Sequence, residues 1–286
     1  MKTILYTVTA LIAFAANSVL CRMALHDGAI DASSFTAVRL LSGAAVLAIL
    51  IGTNSKSTKK SPSGSWIAAL MLFLYAATFS YAYISLDTGV GALVLFAAVQ
   101  MTIIFASLIT GHKLHISEWL GITVAFSGFV YLVLPSLTAP TLSGFILMSI
   151  AGVAWGLYTL NGRGSRNPLG DTASNFLRTT PLVIVLVLLT LPTIRLSLEG
   201  AILAITSGAL ASGAGYTVWY MALNGLSKTE AAVVQLSVPV IAAIGGVLFL
   251  SEVITMRLIY SSLMILGGIL TVVLGRYFFI EYKTKN

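Results

Sequence analysis

The chain has 286 residues, of which 58% are hydrophobic and 9% charged, against roughly 25% charged in an ordinary soluble domain. No water-soluble fold of this size hides that much apolar surface, so the solvent must be lipid, and the chain is best divided into spans of about 20 apolar residues. The net charge of +7 need not mean a nucleic-acid partner, because its distribution along the chain has a simpler explanation in membrane topology.

Ten helices are expected, at about 3–23, 33–52, 66–86, 91–110, 118–135, 143–161, 175–192, 200–222, 231–250 and 257–278. The first follows Lys2 and resembles a signal sequence, but it is one of ten similar spans and reads as a retained helix. Residues 119 to 162 form a 44-residue stretch without a charge, folded in the middle by "PSLTAP" (135–140). That stretch is two spans and a tight turn.

With ten spans both termini share one side. That side collects Lys2, Lys56, Lys59, Lys60, Lys113, Arg163, Arg166, Lys228, Arg276, Lys283 and Lys285, and the other gets Arg22, Arg195 and Arg257. The bias of 11 to 3 places both termini in the cytoplasm by the positive-inside rule. The basic residues therefore orient the bundle in the bilayer. Cys21 stands alone, and His26, His112 and His115 fall in loops or at helix ends, so neither a metal nor another cofactor is expected.

The two arginines of the first half recur in the second. "FAANSVLCR" (14–22) aligns with "WGLYTLNGR" (155–163) at an offset of 141, and "FTAVR" (35–39) with "SNFLR" (174–178) at 139, which also superposes Gly128 on Gly267. Five spans per copy is an odd number, so the second copy, 140–286, enters the membrane from the opposite face to the first, 1–139. Inverted repeats of this kind place a site near the midplane and rock about it.

In both copies the sequence resembles the EamA-type permeases of the drug/metabolite transporter superfamily. The likeness lies in "IAFAANSVLCRMAL" (12–25), "VAWGLYTLNGRG" (153–164), "FTAVRLLSGA" (35–44), "TEAAVVQLSVPVIAAIGGVLFLSEVIT" (229–255) and "LIYSSLMILGGILTVV" (258–273). The resemblance implies an all-α integral membrane protein of two inverted five-helix repeats, in a bacterial inner membrane, that exports amino acids, related metabolites or drugs. The first half departs from the pattern: it has Gln100 and Lys113 where the second has Pro239 and Glu252.

Polar groups at membrane depth generally face the bundle interior and mark pathways. Gln100 lies about ten residues into its helix, roughly 15 Å deep, and is expected to line a midplane cavity or to join two helices. Gln235 carries the same alternatives. Pro239 should kink its helix and free the carbonyl of Gln235. Asn17 and Tyr158 are repeat mates, as are Phe14 and Trp155; Phe14 and Asn17, and likewise Trp155 and Tyr158, are three residues apart and so share a helix face. Tyr81 and Tyr216 join the expected cavity lining, whereas Trp219 and Tyr220 suit an interfacial belt. Arg39 and Arg178 enter their helices by about a turn; each either snorkels, or fixes a gate or attracts a carboxylate, through a carboxylate or loop carbonyl on the other bundle, Glu252 being one conceivable partner. The stretch "GALASGAG" (208–215) is compatible with close packing inside the bundle or in a homodimer.

The residues thus point to a secondary transporter of small metabolites, amino acids or related zwitterionic and aromatic compounds, working by alternating access. A drug or quaternary-cation pump is the alternative, though Asp87, Glu118, Glu230 and Glu252 all sit at helix ends and leave no carboxylate at mid-depth to meet a cation or relay a proton. A membrane enzyme would need a nucleophile with its base or a metal cluster, and the spans hold neither. A sensor or structural subunit without flux is the reading of a different class.

Overall fold

A computed structural model describes residues 2–53, 64–109, 115–134, 139–162, 165, 167–223, 225–226 and 228–276. The chain is almost entirely helical: α1 (Lys2–His26), α2 (Ala32–Thr53), α3 (Trp66–Ala82), α4 (Thr88–Ile109), α5 (Ile116–Val133), α6 (Leu142–Asn161), α7 (Pro168–Arg178), α8 (Thr180–Thr190), α9 (Leu198–Thr206), a π-helical segment (Ser207–Ala214), α10 (Gly215–Leu223), α11 (Lys228–Gln235), α12 (Val238–Leu250) and α13 (Met256–Arg276). Among the described residues nine spans are long and apolar enough to cross a membrane, and the 17-residue α3 is a shorter apolar helix. Each span reverses direction. The loops after α1, α3, α5, α8 and α12 therefore share a far face, while Thr3 packs on Gly225 and Ser117 on Gly275 at the terminal face. Lys56, Lys59, Lys60, Lys113, Arg163, Arg166, Lys283 and Lys285, most of the charges behind the expected orientation, lie outside the described residues.

Local chemistry sets the helix starts. The Ser65 hydroxyl accepts from Ala68 N at 3.0 Å, His115 and Glu118 form a capping box on α5, and Thr141 caps α6. These partners satisfy backbone N–H groups that have no acceptor in the first turn. Asn167 does the same for α7 through Gly170 N, which is why the seventh span begins at Pro168 and not, as expected, near 175. Its polar first turn holds Asp171, favoured at the positive end of the helix dipole.

Three spans expected as single helices are broken. The seventh pauses at Thr179, two residues before Pro181, a residue with no N–H to continue the ladder. The ninth stops at Gln235 and restarts at Val238, so Pro239 sits in the first turn of α12, where its missing N–H costs nothing. The eighth widens into the π segment. There Gly208 lies against the carbonyl of Arg39 and the hydroxyl of Ser42, and any Cβ would collide with them. The small-residue stretch thus packs against α2 within the bundle.

Candidate functional site

A small cavity of about 20 Å³ lies at mid-depth between the two halves of the chain, lined by Phe14, Asn17, Tyr75, Phe79, Leu95, Phe96, Trp155 and Tyr216. The elements α1, α3 and α4 supply the first six, and α6 and α10 the last two. The rings form a continuous wall: Tyr75 to Trp155 at 4.8 Å, Trp155 to Tyr216 at 5.1 Å, and Phe14 to Tyr216 at 5.9 Å. Tyr158 stacks behind Trp155 at 5.3 Å and 28°. The volume admits about one water, so a substrate enters only if these rings separate.

Behind the rings runs a buried polar network. Asn17 Oδ1 accepts from Ser207 Oγ at 2.8 Å and from Ser212 Oγ at 3.3 Å. Arg39 Nε donates to Ser212 Oγ at 3.3 Å, and Arg39 Nη2 to the Tyr75 hydroxyl at 2.8 Å. The π segment makes this possible. In an α-helix two residues five apart point about 140° apart, whereas i→i+5 turns bring them to one side. Ser207 and Ser212 consequently meet the same oxygen.

The far face above the cavity is sealed. Arg22 Nη1 donates to the carbonyls of Tyr83 and Ile84 at 3.0 and 3.1 Å, and the same guanidinium pairs with Asp87 and Glu252, each at 3.6 Å. Glu252 also accepts from Thr88 N and Oγ1 at 2.9 Å. Ser251, at φ 55°, turns Glu252 back toward α4. Nearby, Ile30 and Leu196 form an antiparallel bridge, and Asp31 accepts from Ser33 N, Ser34 N and Arg195 N at 3.0, 3.0 and 2.8 Å. Burial pushes the Asp31 carboxyl up, but the hydrogen bonds from Ser34, Arg195 and Ser33 outweigh it and hold its pKa below the usual carboxylate value.

A larger cleft of about 340 Å³ opens on the far face, lined by residues that include Asp87, Thr141 and Glu252. It shares no lining residue with the aromatic cavity, and its Glu252 is already engaged in the seal. The smaller cavity is the stronger candidate because it sits at mid-depth, draws on both halves and adjoins buried polar groups.

The structure brings Phe14, Asn17, Trp155 and Tyr216 together on the cavity and sets Tyr158 behind it. Gln100 is buried one turn along α4 from Phe96 but is not part of the cavity wall. Gln235 is also absent from it: its Nε2 donates to the carbonyl of Ala231 at 3.1 Å on its own helix. Tyr81 ties α3 to α2 through Ser33 Oγ at 2.7 Å and faces away from the cavity. Arg39 does not snorkel; it is 2% exposed and turned inward. Glu252 pairs with Arg22, so the partnership considered for Arg39 is not made. Arg178 packs against Gly64 near the terminal face, with one buried Nη1 lacking a hydrogen-bond partner.

Several site residues escaped the sequence reading. Tyr75 and Phe79 form an i, i+4 aromatic pair on α3, a signal the sequence carried. Ser207 and Ser212 had none, since their convergence depends on the π segment. Arg22 was taken for an orienting charge and is the hub of the far-face seal.

The model of the EamA-like transporter family matches residues 1–134 and again 142–274. An uncharacterized protein of Pseudomonas aeruginosa is 50% identical over 96% of this chain and 96% of its own length. An uncharacterized transporter of Archaeoglobus fulgidus is 29% identical over 67% of this chain and 70% of its own, and one of Bacillus subtilis, YoaV, is 21% identical over 88% and 89%. A solved crystal structure superposes with a TM-score of 0.65 at 18% identity, covering 95% of this chain and 98% of that one. This last likeness concerns the fold alone.

Proposed function

Because the chain belongs to the EamA-like transporter family and is a multi-pass membrane transporter, we propose that it exports small metabolites, amino acids or related zwitterionic and aromatic compounds, by alternating access around the aromatic cavity. The moving bodies are residues 1–139 and 140–286, in a bacterial inner membrane with both termini cytoplasmic. The observation that carries this reading is the small mid-depth cavity whose wall comes from both halves and joins aromatic faces to Asn17. Aromatic rings match an apolar side chain, and hydroxyl and amide groups match the polar end of a metabolite. The far-face seal around Arg22 makes this conformation one of the closed states in the cycle. No carboxylate belongs to the wall, which suits transport driven by the substrate's own gradient.

The test is growth of cells expressing the protein under challenge with amino acids and their toxic analogues, together with efflux from proteoliposomes loaded with the protective compound. Tolerance and efflux are expected from the wild type and should be lost in Asn17→Leu. Tolerance that survives this substitution unchanged refutes the cavity as the site, and efflux that follows an imposed pH gradient without a substrate gradient refutes the energy source.

A further inference from the structure

We propose that Arg39 is the docking point for a carboxylate on the transported molecule, which makes the substrate class an organic carboxylate with an aromatic or apolar body. The inference rests on the aromatic cavity being the transport site. Among the described residues two deeply buried arginines lie on the far-face half of the bundle, and they differ in their acidic partners. Arg22 has Glu252, Asp87 and two backbone carbonyls around it, so its Nε, though without a hydrogen bond, sits 3.6 Å from the Glu252 carboxylate. Arg39, 2% exposed, has one serine and one tyrosine hydroxyl, and its Nη1 is buried without a hydrogen-bond partner. Among the described residues no carboxylate lies within ion-pairing distance of it.

A guanidinium cannot escape this situation by losing its proton, and a buried charge is normally paired. Its carbon lies 5.1 Å from the ring centre of Tyr75 and 4.9 Å from that of Phe79. Those aromatic faces offset part of the lost hydration. They also locate the group, because Tyr75 and Phe79 both line the cavity. Arg39 is thus directly behind the wall, oriented by Ser212 and Tyr75, with one donor unused. The fork geometry of a guanidinium matches a carboxylate. The remaining wall, Phe14, Leu95, Trp155 and Tyr216, offers apolar and aromatic faces for the rest of the molecule. A quaternary cation finds a fixed positive charge where it needs a negative one.

The experiment measures binding to the purified full-length protein in detergent, by calorimetry and tryptophan fluorescence, using phenylacetate and its neutral counterpart phenylacetamide. Phenylacetate is expected to bind about tenfold more tightly or better, the worth of one charge-assisted hydrogen bond, and Arg39→Gln to abolish the difference. Tyr75→Phe, which keeps the charge but loses its anchor, should retain the preference in reduced form. A ratio near one in the wild type, or a preference that survives Arg39→Gln, overturns the proposal. The wild-type ratio decides on its own should Arg39→Gln fail to fold. Complete displacement of phenylacetate by chloride would also overturn it, by giving Arg39 to an inorganic anion. Asn17→Leu separates the two readings: if it weakens both probes while their wild-type ratio is near one, the cavity stands and the role of Arg39 falls. A wild type that binds neither probe counts against both.

Discussion

The far-face seal is the most direct place to test whether the closed state is held by the contacts described. Glu252→Gln keeps the size of the side chain and one acceptor oxygen for Thr88. It removes the ion pair with Arg22 at 3.6 Å and the charge on the hydrogen bonds from Thr88 at 2.9 Å. Glu252 is partly exposed, with 12% side-chain accessibility, so the pair is worth more than a surface ion pair and less than a fully desolvated one. Losing charge assistance from the Thr88 contacts adds to this, for a total near 2 kcal/mol. If the open state makes none of these contacts, the closed-to-open ratio falls by about 30-fold. Cys21, adjacent to Arg22 in α1 and 0% exposed, reports the change. Its alkylation by a small maleimide in intact membranes requires opening, so the rate should rise about 30-fold. An unchanged or slower rate in Glu252→Gln would refute the assignment of these residues to the gate.

Gly208→Ala places a Cβ against the Arg39 carbonyl and the Ser42 hydroxyl; overpacking of this kind costs about 1–3 kcal/mol, and the melting temperature in detergent should fall. Ser251→Gly removes the left-handed strain at φ 55°, roughly 1 kcal/mol, so it should raise the melting temperature, and a decrease would contradict the turn geometry. Asp31 has a folded-state pKa below its ordinary value, so its contribution to stability is present above the unfolded carboxylate value, near 3.9, and is lost as pH falls through the folded value. Asp31→Asn should therefore be less stable than wild type at neutral pH and show a shallower loss of stability on acidification below about pH 4, measured by thermal unfolding across pH.

Much of the architecture was legible because the bilayer enforces it. Twenty-residue apolar runs, separated by charges and turns, leave few alternatives to a ten-span bundle. The helix breaks were partly legible. Pro239 announced an interruption, but the restart at Val238 depends on how α12 packs against α4 and α1. The repeated "FAANSVLCR" and "WGLYTLNGR" pointed to Phe14, Asn17 and Trp155, which share the cavity wall. Depth alone leaves Gln100 and Gln235 open between lining a cavity and joining helices. Distance from a helix end fixes height in the membrane but not azimuth, and azimuth decides whether an amide meets a cavity, a neighbouring helix or its own backbone.

The amino-acid sequence by itself determined the solvent, the spans and the doubled five-helix unit, since composition and charge spacing act locally and add along the chain. Only the tertiary structure decided which polar groups meet. Ser207 and Ser212 share Asn17 because the π segment rotates them together where Gly208 lets two backbones touch, and Arg22, not Arg39, receives Glu252 because Ser251 turns the chain back on α4. Those pairings join residues 164 to 230 positions apart, a separation at which no local pattern records who the neighbour will be.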